Sequence, residues 1–388
     1  MNAGPGPAPA GNPTVDIEST LSYDERVNID FVLALRRRWS GQLYRGLRTQ
    51  CEAAAEGLAN TPTEDLAEDR AGVRQALRRA PLYPWFSALE RIEQKMLWRA
   101  ASDIVLDRWA DRAEPPSDLE PGGPALELDP DLVLPDYYTR HDIHVQPGGV
   151  WGSDPAAGVY QLGARIVMLR DNDNLRFHRL FTDTAVPHRA YRRIVDMGCG
   201  FGKSTRPSAD AFPDAEIIGV DLSAPVLRLA HTEAIRYGLP IRYLQRDCRN
   251  TGLSAGTVGL VTGTMLLHEM PAEAIVQTLR EAARLLEPGG VVRFLEFART
   301  GDAFFDATVR DHARRNNEPF LPGLLDLDLD RAAAEAGLTN ARWLPFDELH
   351  RGLVDTREPG RTQREWHFPW AVLAADKPGE PKTGGTDG

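Results

Sequence analysis

From residue 191 onward the sequence changes period, and that change constrains the fold more than any other feature. Short apolar runs (RRIVDMG, AEIIGVDLS, IRYLQRD, VGLVTGTML and GGVVRFLEF) alternate with stretches of helical periodicity such as APVLRLAHTEAIRYGL and AEAIVQTLREAARLLEPGG. Strands that alternate with helices pair in parallel, because each crossover returns the chain to the same end of the sheet, and the helices cover both faces. After the fifth run the spacing lengthens. LDRAAAEAGL reads as a helix, NARWLPF as a short strand and EWHFPWAVLAAD as a final strand.

The chain before residue 191 reads differently. Residues 1–18 are rich in Gly, Pro and Ala and, with residues 378–388, are expected to be disordered tails. In DERVNIDFVLALRRRWSGQLYRGL, Val27, Phe31, Leu35, Trp39 and Leu43 recur every four residues and so share a helical face, with Arg36, Arg37 and Arg38 mostly on the solvated sides. A second helical pattern in PWFSALERIEQKMLWRAASDIVL turns Phe86, Leu89, Met96 and Ile104 inward. Together they predict an N-terminal helical domain over 19–112, with a homodimer through its amphipathic helices as an expectation. Six prolines fall between residues 111 and 135, and the linker is placed at 113–136. Residues 137–190 read as a connecting segment or lid, with Tyr137, Tyr138, Trp151 and Tyr160 available to wall a pocket.

Charge and cysteine usage narrow the function. A net charge of −11 and a pI near 5.4 argue against broad nucleic-acid binding. No apolar run is long enough to span a membrane, and the N-terminus lacks the basic-then-apolar pattern of a secretory signal. Cys51, Cys199 and Cys248 show neither metal spacing nor a disulfide framework. The expected location is cytoplasmic, with neither nucleic acid nor membrane as partner.

The first strand of the alternating region runs into VDMGCGFGKST. A nucleotide phosphate loop would need glycine at 197, where Met197 stands, and a dinucleotide fingerprint would need glycine at 203, where Lys203 stands. What remains is Asp196 followed by Gly198, Gly200 and Gly202. Glycines at such spacing permit a tight strand-to-helix turn and close approach of backbone to ligand. The helix that follows offers free N–H groups. An acid at 196 disfavours phosphate and favours a cationic ligand.

On these residues the sequence resembles the class I S-adenosylmethionine-dependent methyltransferases, over about residues 190–377. Besides VDMGCGFG, it has IIGVDLS, LQRDC, VTGTMLLHEMP and LLEPGGVVRFLE in matching order. The resemblance implies a Rossmann-like doubly wound sheet of seven strands, mostly parallel with the last strand, HFPWAVLAA, antiparallel, in a domain at 191–377. It implies S-adenosylmethionine as cofactor, held by Asp196, Gly198, Gly200, Gly202, Asp221, Leu222, Asp247 and Cys248. Asp221 would accept hydrogen bonds from the ribose hydroxyls. Asp247 would meet the adenine amino group, with Cys248 beside the ring. Gly289 and Gly290 would make the turn before the fifth strand.

Methyl transfer from a sulfonium is an in-line displacement, in which the protein mainly positions the nucleophile and removes a proton where one must leave. His268 is the candidate base and Glu269 the second candidate catalytic residue. His141, Asp142 and His144 could ligate a metal, but the reading adopted here is a lid with no metal. The segment 299–325, with Phe304, Phe305, His312 and Phe320, is expected to shape the acceptor pocket. The expected function is transfer of a methyl group to an O, N or C atom of a small molecule, in specialised metabolism. The alternatives are an NAD(P)-dependent oxidoreductase and a non-catalytic methyltransferase-like assembly protein.

Overall fold

The computed structural model describes residues 21–56, 66–109, 123–170, 172–349, 351–358 and 360–379. The expected tail at 1–18, residues 380–388 of the second, and residues 113–122 of the linker lie outside the described residues. Helix α1 (Tyr23–Arg38) starts at Ser22, whose hydroxyl accepts from the Glu25 amide while the Glu25 carboxylate accepts from the Ser22 amide. This reciprocal cap satisfies two of the amides that a helix start leaves unpaired. After α1 the chain makes one wider turn over Trp39–Leu43 and continues as α2 (Tyr44–Glu56).

That wide turn corrects the predicted face. Residues Ile29, Val32, Leu33 and Arg36 are the buried side of α1, whereas Val27 and Phe31 are 47% and 56% exposed. A five-residue turn inserts an extra residue, so a fourfold count carried through Trp39 does not describe the helix before it. Tyr23, also exposed, extends the stripe of Val27 and Phe31.

Helices α3 (Leu66–Arg79) and α4 (Tyr83–Arg108) complete the N-terminal unit. A short strand β1 (Ala125–Glu127) lies within the segment read as linker. Then follow α5 (Asp136–Thr139), α6 (Asp154–Val167) and α7 (Arg176–Ala185). The predicted alternation comes next: β2 (Arg193–Met197), α8 (Thr205–Ala211), β3 (Glu216–Asp221), α9 (Ala224–Tyr237), β4 (Ile241–Gln245), β5 (Val258–Thr264), α10 (Ala272–Leu285) and β6 (Leu286–Phe297). Helices α11 (Ala303–Arg315), α12 (Leu321–Leu325) and α13 (Leu329–Ala336) precede β7 (Thr339–Asp347), β8 (Gly352–Leu353) and β9 (Trp370–Asp376).

The sheet order is β1-β4-β3-β2-β5-β6-β9-β7-β8. Strands β1 to β6 pair in parallel, and β9 inserts antiparallel between β6 and β7. The expected seven-stranded, mostly parallel, Rossmann-like sheet with its last strand reversed is therefore present. The two short strands β1 and β8 extend it to nine, one at each edge. Every residue of β5 is buried, as a central strand covered on both faces requires. One apolar cluster beneath the sheet contains Val195, Ile218, Val261, Leu279 and Phe294. The other runs from Ile194 and Leu260 on the opposite face into the N-terminal unit at Trp39, Tyr44 and Phe86. The order reverses between β2 and β5, and a crevice opens outside the carboxyl ends of the strands at such a point.

Candidate active site

The turn after β2 is shaped by its glycines. Gly198, Gly200 and Gly202 have φ of 64°, 51° and 82°, in the left-handed region where a side chain is strained. At Gly198 space is short too, since a Cβ there would stand 2.6 Å from Leu266. The Cys199 amide donates to the Val220 carbonyl at 3.1 Å, and the Gly200 amide donates to Asp221 Oδ2 at 2.9 Å. The turn of β2 and the end of β3 are thus tied together.

Asp196 lies beneath this turn, fully buried. It accepts hydrogen bonds from Ser204 Oγ at 2.7 Å, Thr205 Oγ1 at 2.6 Å and Thr262 Oγ1 at 3.2 Å. Burial pushes its carboxyl up, and the three hydroxyls oppose that shift. Here the GKST ending finds its use: its two hydroxyls satisfy a buried acid and fix the start of α8. Asp196 and Gly202 are not among the residues lining the crevice, so their contribution to the site is to hold the turn.

The crevice encloses about 740 Å³ of space, its open mouth included. At one end are Asp221, Leu222, Asp247 and Cys248, with the backbone of Gly198 and Gly200. At the other are Thr264, Met265, Leu266, Glu269 and Met270, with Tyr137, Tyr138, Val150 and Tyr160 also on the wall. Asp221 takes hydrogen bonds from the Ser223 and Gly200 amides. Burial nevertheless raises its pKa to about 6. Arg249 clamps Asp247, with Nη2 2.6 Å from Oδ2 and Nε 3.0 Å from both oxygens. Two strand-end carboxylates beside the turn backbone are an acceptor set that fits the hydroxyls and amino group of an adenosine.

His268 and Glu269 sit on the turn after β5. Glu269 lines the cavity, whereas His268 is buried behind it, 2% exposed. His268 Nδ1 lies 2.9 Å from Glu296 Oε2, and its ring packs on Phe297 at 4.7 Å. The other oxygen of Glu296 accepts from the Leu266 and Leu267 amides. His144 comes from the connecting segment, 3.0 Å from Glu269 Oε1 through Nε2 and 3.1 Å from Glu318 Oε1 through Nδ1. Burial opposes a charge on His144, but these two carboxylates outweigh it and raise its pKa to about 10. His141 packs instead on Phe320 at 5.9 Å, and Trp151 is absent from the cavity wall.

Sequence reasoning missed several participants. Ser204 and Thr205 were legible in principle, as hydroxyls directly after the glycine turn. Met265, at φ 56°, holds a conformation that costs about 1–3 kcal/mol, and its φ has no sequence signature. Glu296 and Glu318 pair with His268 and His144 from 28 and 174 residues away. The segment 299–325 contributes none of Phe304, Phe305, His312 or Phe320 to the cavity wall. Phe304 and Phe305 pack on Tyr44 and His312 on Trp366, which joins this segment to the N-terminal helices.

Sequence comparison with known proteins places the family. A family model described as a methyltransferase domain matches residues 194–290. The demethylmenaquinone methyltransferase of Thermus thermophilus is 30% identical over 152 residues, 39% of this chain and 67% of that protein. The trans-aconitate 2-methyltransferase of Azoarcus sp. is 37% identical over 100 residues, 26% of this chain and 36% of that protein. Matches to these two thus span two thirds and about a third of the relatives' lengths. A solved structure, Haemonchus contortus phosphoethanolamine N-methyltransferase 2 with S-adenosylhomocysteine, aligns at 16% identity and a TM-score of 0.38, covering 54% of this chain and 53% of that one. The chain belongs to the class I S-adenosylmethionine-dependent methyltransferases, and S-adenosylmethionine is its cofactor. Among the described residues no helix is long and apolar enough to cross a membrane.

Proposed function

We propose that this chain transfers a methyl group from S-adenosylmethionine to a small-molecule acceptor that enters the cavity at its Glu269 end. The observation that carries the reading is one continuous cavity. It has adenosine-type partners at Asp221 and Asp247, and a differently built wall after β5, where Thr264 and Glu269 stand among Met265, Leu266 and Met270. The names of the relatives, a demethylmenaquinone and a trans-aconitate methyltransferase, support a small acceptor. Methylation in specialised metabolism remains the finer proposal.

When bound, the cofactor supplies an already activated methyl group. The chain's own task is then binding and alignment. Asp221 accepts from two hydroxyls, and Asp247 and Cys248 receive the base at the end of β4. The backbone of Gly198 and of Gly200 comes close because neither residue has a Cβ. Tyr138 and Tyr160 wall the space between the two ends, and burial raises both phenol pKa values, so they remain neutral hydrogen-bonding groups. Glu269 faces the acceptor. His268, with Nδ1 on Glu296, stands behind Glu269, its Nε2 3.9 Å from Glu269 Oε1.

Calorimetric titration with S-adenosylhomocysteine tests the donor half. Saturable binding that Asp221→Ala weakens at least ~10-fold is expected, since two hydroxyl bonds to a charged group are lost. The same affinity in that variant overturns the assignment. Transfer of isotopically labelled methyl into a panel of hydroxylated and amine-bearing small molecules tests the acceptor half. Donor binding with no turnover on any of them would favour the assembly-protein alternative.

A further inference from the structure

His144, His268 and Glu269 converge although His144 lies more than a hundred residues from the others. One ligand atom from each lies within 4.8 Å of the other two. His144 Nε2 is 3.0 Å and His268 Nε2 3.9 Å from the same oxygen, Glu269 Oε1. Ligand atoms at about 2.0–2.1 Å from a tetrahedral ion stand about 3.3 Å apart, a separation these two distances bracket.

The far sides of both rings supply an independent observation. His144 Nδ1 meets Glu318 at 3.1 Å and His268 Nδ1 meets Glu296 at 2.9 Å, and the two carboxylates are 3% and 0% exposed. Once an ion replaces the proton that His144 Nε2 shares with Glu269, a carboxylate on Nδ1 fixes the tautomer and turns the Nε2 lone pair to the ion, the arrangement that supports metal-bound imidazoles. The backbone is held in place as well. His144 and Val145 have φ of 59° and 65°, strained for residues with a Cβ. Gln94 Nε2 donates to the His144 carbonyl at 3.1 Å, and Asn317 Nδ2 donates to the Asp142 carbonyl at 2.8 Å. Charge points the same way. Glu269, Glu296 and Glu318 surround two imidazoles, with His312 Nε2 3.6 Å from Glu318. Three carboxylates so placed call for added positive charge, from protons or from an ion.

We propose that His144, His268 and Glu269 form a divalent transition-metal site. Two imidazoles and one carboxylate are a donor set that takes zinc and leaves one position free. Glu269 also lines the cavity, so the ion stands at the acceptor end. Resting on the methyltransferase reading, the favoured acceptor carries an oxygen or nitrogen donor able to occupy the free position. Glu318 and Glu296 are positioning residues for the two ligands.

The test uses the full chain, freed of metal with a chelator and titrated with cobalt(II) and then zinc(II). One cobalt per chain is expected, with the visible absorption of a tetrahedral ion, and zinc should displace it. His144→Ala should abolish the absorption. Glu318→Gln should weaken zinc binding about 10–100-fold, as loss of such a support does elsewhere. Both variants should still bind S-adenosylhomocysteine, which shows that they are folded and separates the metal site from the donor site. No cobalt uptake by the wild-type chain, or equal uptake by His144→Ala, overturns the proposal. The first outcome would assign the cluster's balancing charge to protons. Metal uptake without S-adenosylhomocysteine binding would leave the metal site standing and remove the inference about the acceptor.

Discussion

Single residues decide two features of the donor site. Asp196 is a buried charge whose three hydroxyl partners come from two elements, and it is set back from the cavity. Asp196→Ala is expected to lower unfolding stability by about 2–4 kcal/mol, since three buried donors lose a charged acceptor. Urea unfolding checks this, and an unchanged midpoint would contradict it. Asp221 sets the pH response. Its pKa is raised from 3.8 to about 6, so the folded state keeps a proton that the unfolded state loses across that window. The stability contributed by the neutral form is present below 3.8 and lost as pH rises through about 6. In the proposed binding mode the donor's dependence runs the other way, because ribose hydroxyls would donate to the Asp221 carboxylate. Affinity for S-adenosylhomocysteine should fall below pH 6 with a slope approaching about tenfold per unit, and Asp221→Asn should flatten the profile. Calorimetry between pH 5 and 7.5 measures both, and an unflattened profile in the variant would place the titration elsewhere.

At the scale of elements, legibility followed locality. The five parallel strands, α9, α10 and the reversed last strand were readable because their periodicity is local and their ends carry glycine, proline or a capping serine, as Ser223 does for α9. The face of α1 was not, because the wide turn at Trp39–Leu43 shifts the phase and nothing in WSGQL announces it. Strand β1 was hidden because three residues among prolines carry no period, and its pairing with β4 is a tertiary event. The site divided in the same way. Gly198, Gly200, Asp221 and Asp247 follow from strand ends, while the Glu318–His144 pair depends on how a distant helix lands. The cap of α1 was also local in origin. Ser22→Ala should destabilise the N-terminal unit by about 1 kcal/mol, seen as a lower thermal midpoint. No shift would mean that packing alone fixes that helix.

Across the whole molecule, the N-terminal helices and the methyltransferase domain share one core. Trp39 packs on Trp366 at 5.3 Å, Arg48 Nη2 bonds Asp302 at 2.6 Å, and Arg315 Nε reaches the buried Glu90 at 2.6 Å. His312 Nδ1 meets the same Glu90. Removing Glu90 takes from Arg315 and His312 the buried carboxylate they share and, among the described residues, leaves Arg315 only the Asp311 carboxylate at 4.0 Å, so Glu90→Ala should cost about 3–5 kcal/mol. A far smaller loss by urea unfolding would show that the two units are energetically separate. The same coupling carries α4 to the connecting segment, where Gln94 donates to the His144 carbonyl beside Glu269, without contributing to the cavity wall. The central claim concerns the crevice beyond β2, β3 and β4, and crystals grown with S-adenosylhomocysteine test it most directly. The account predicts the ribose on Asp221, the adenine at Asp247 and Cys248, and the sulfur toward Met265 and Glu269. Density for the compound at another place on the chain, or a crevice without it at saturating concentration, would contradict the account.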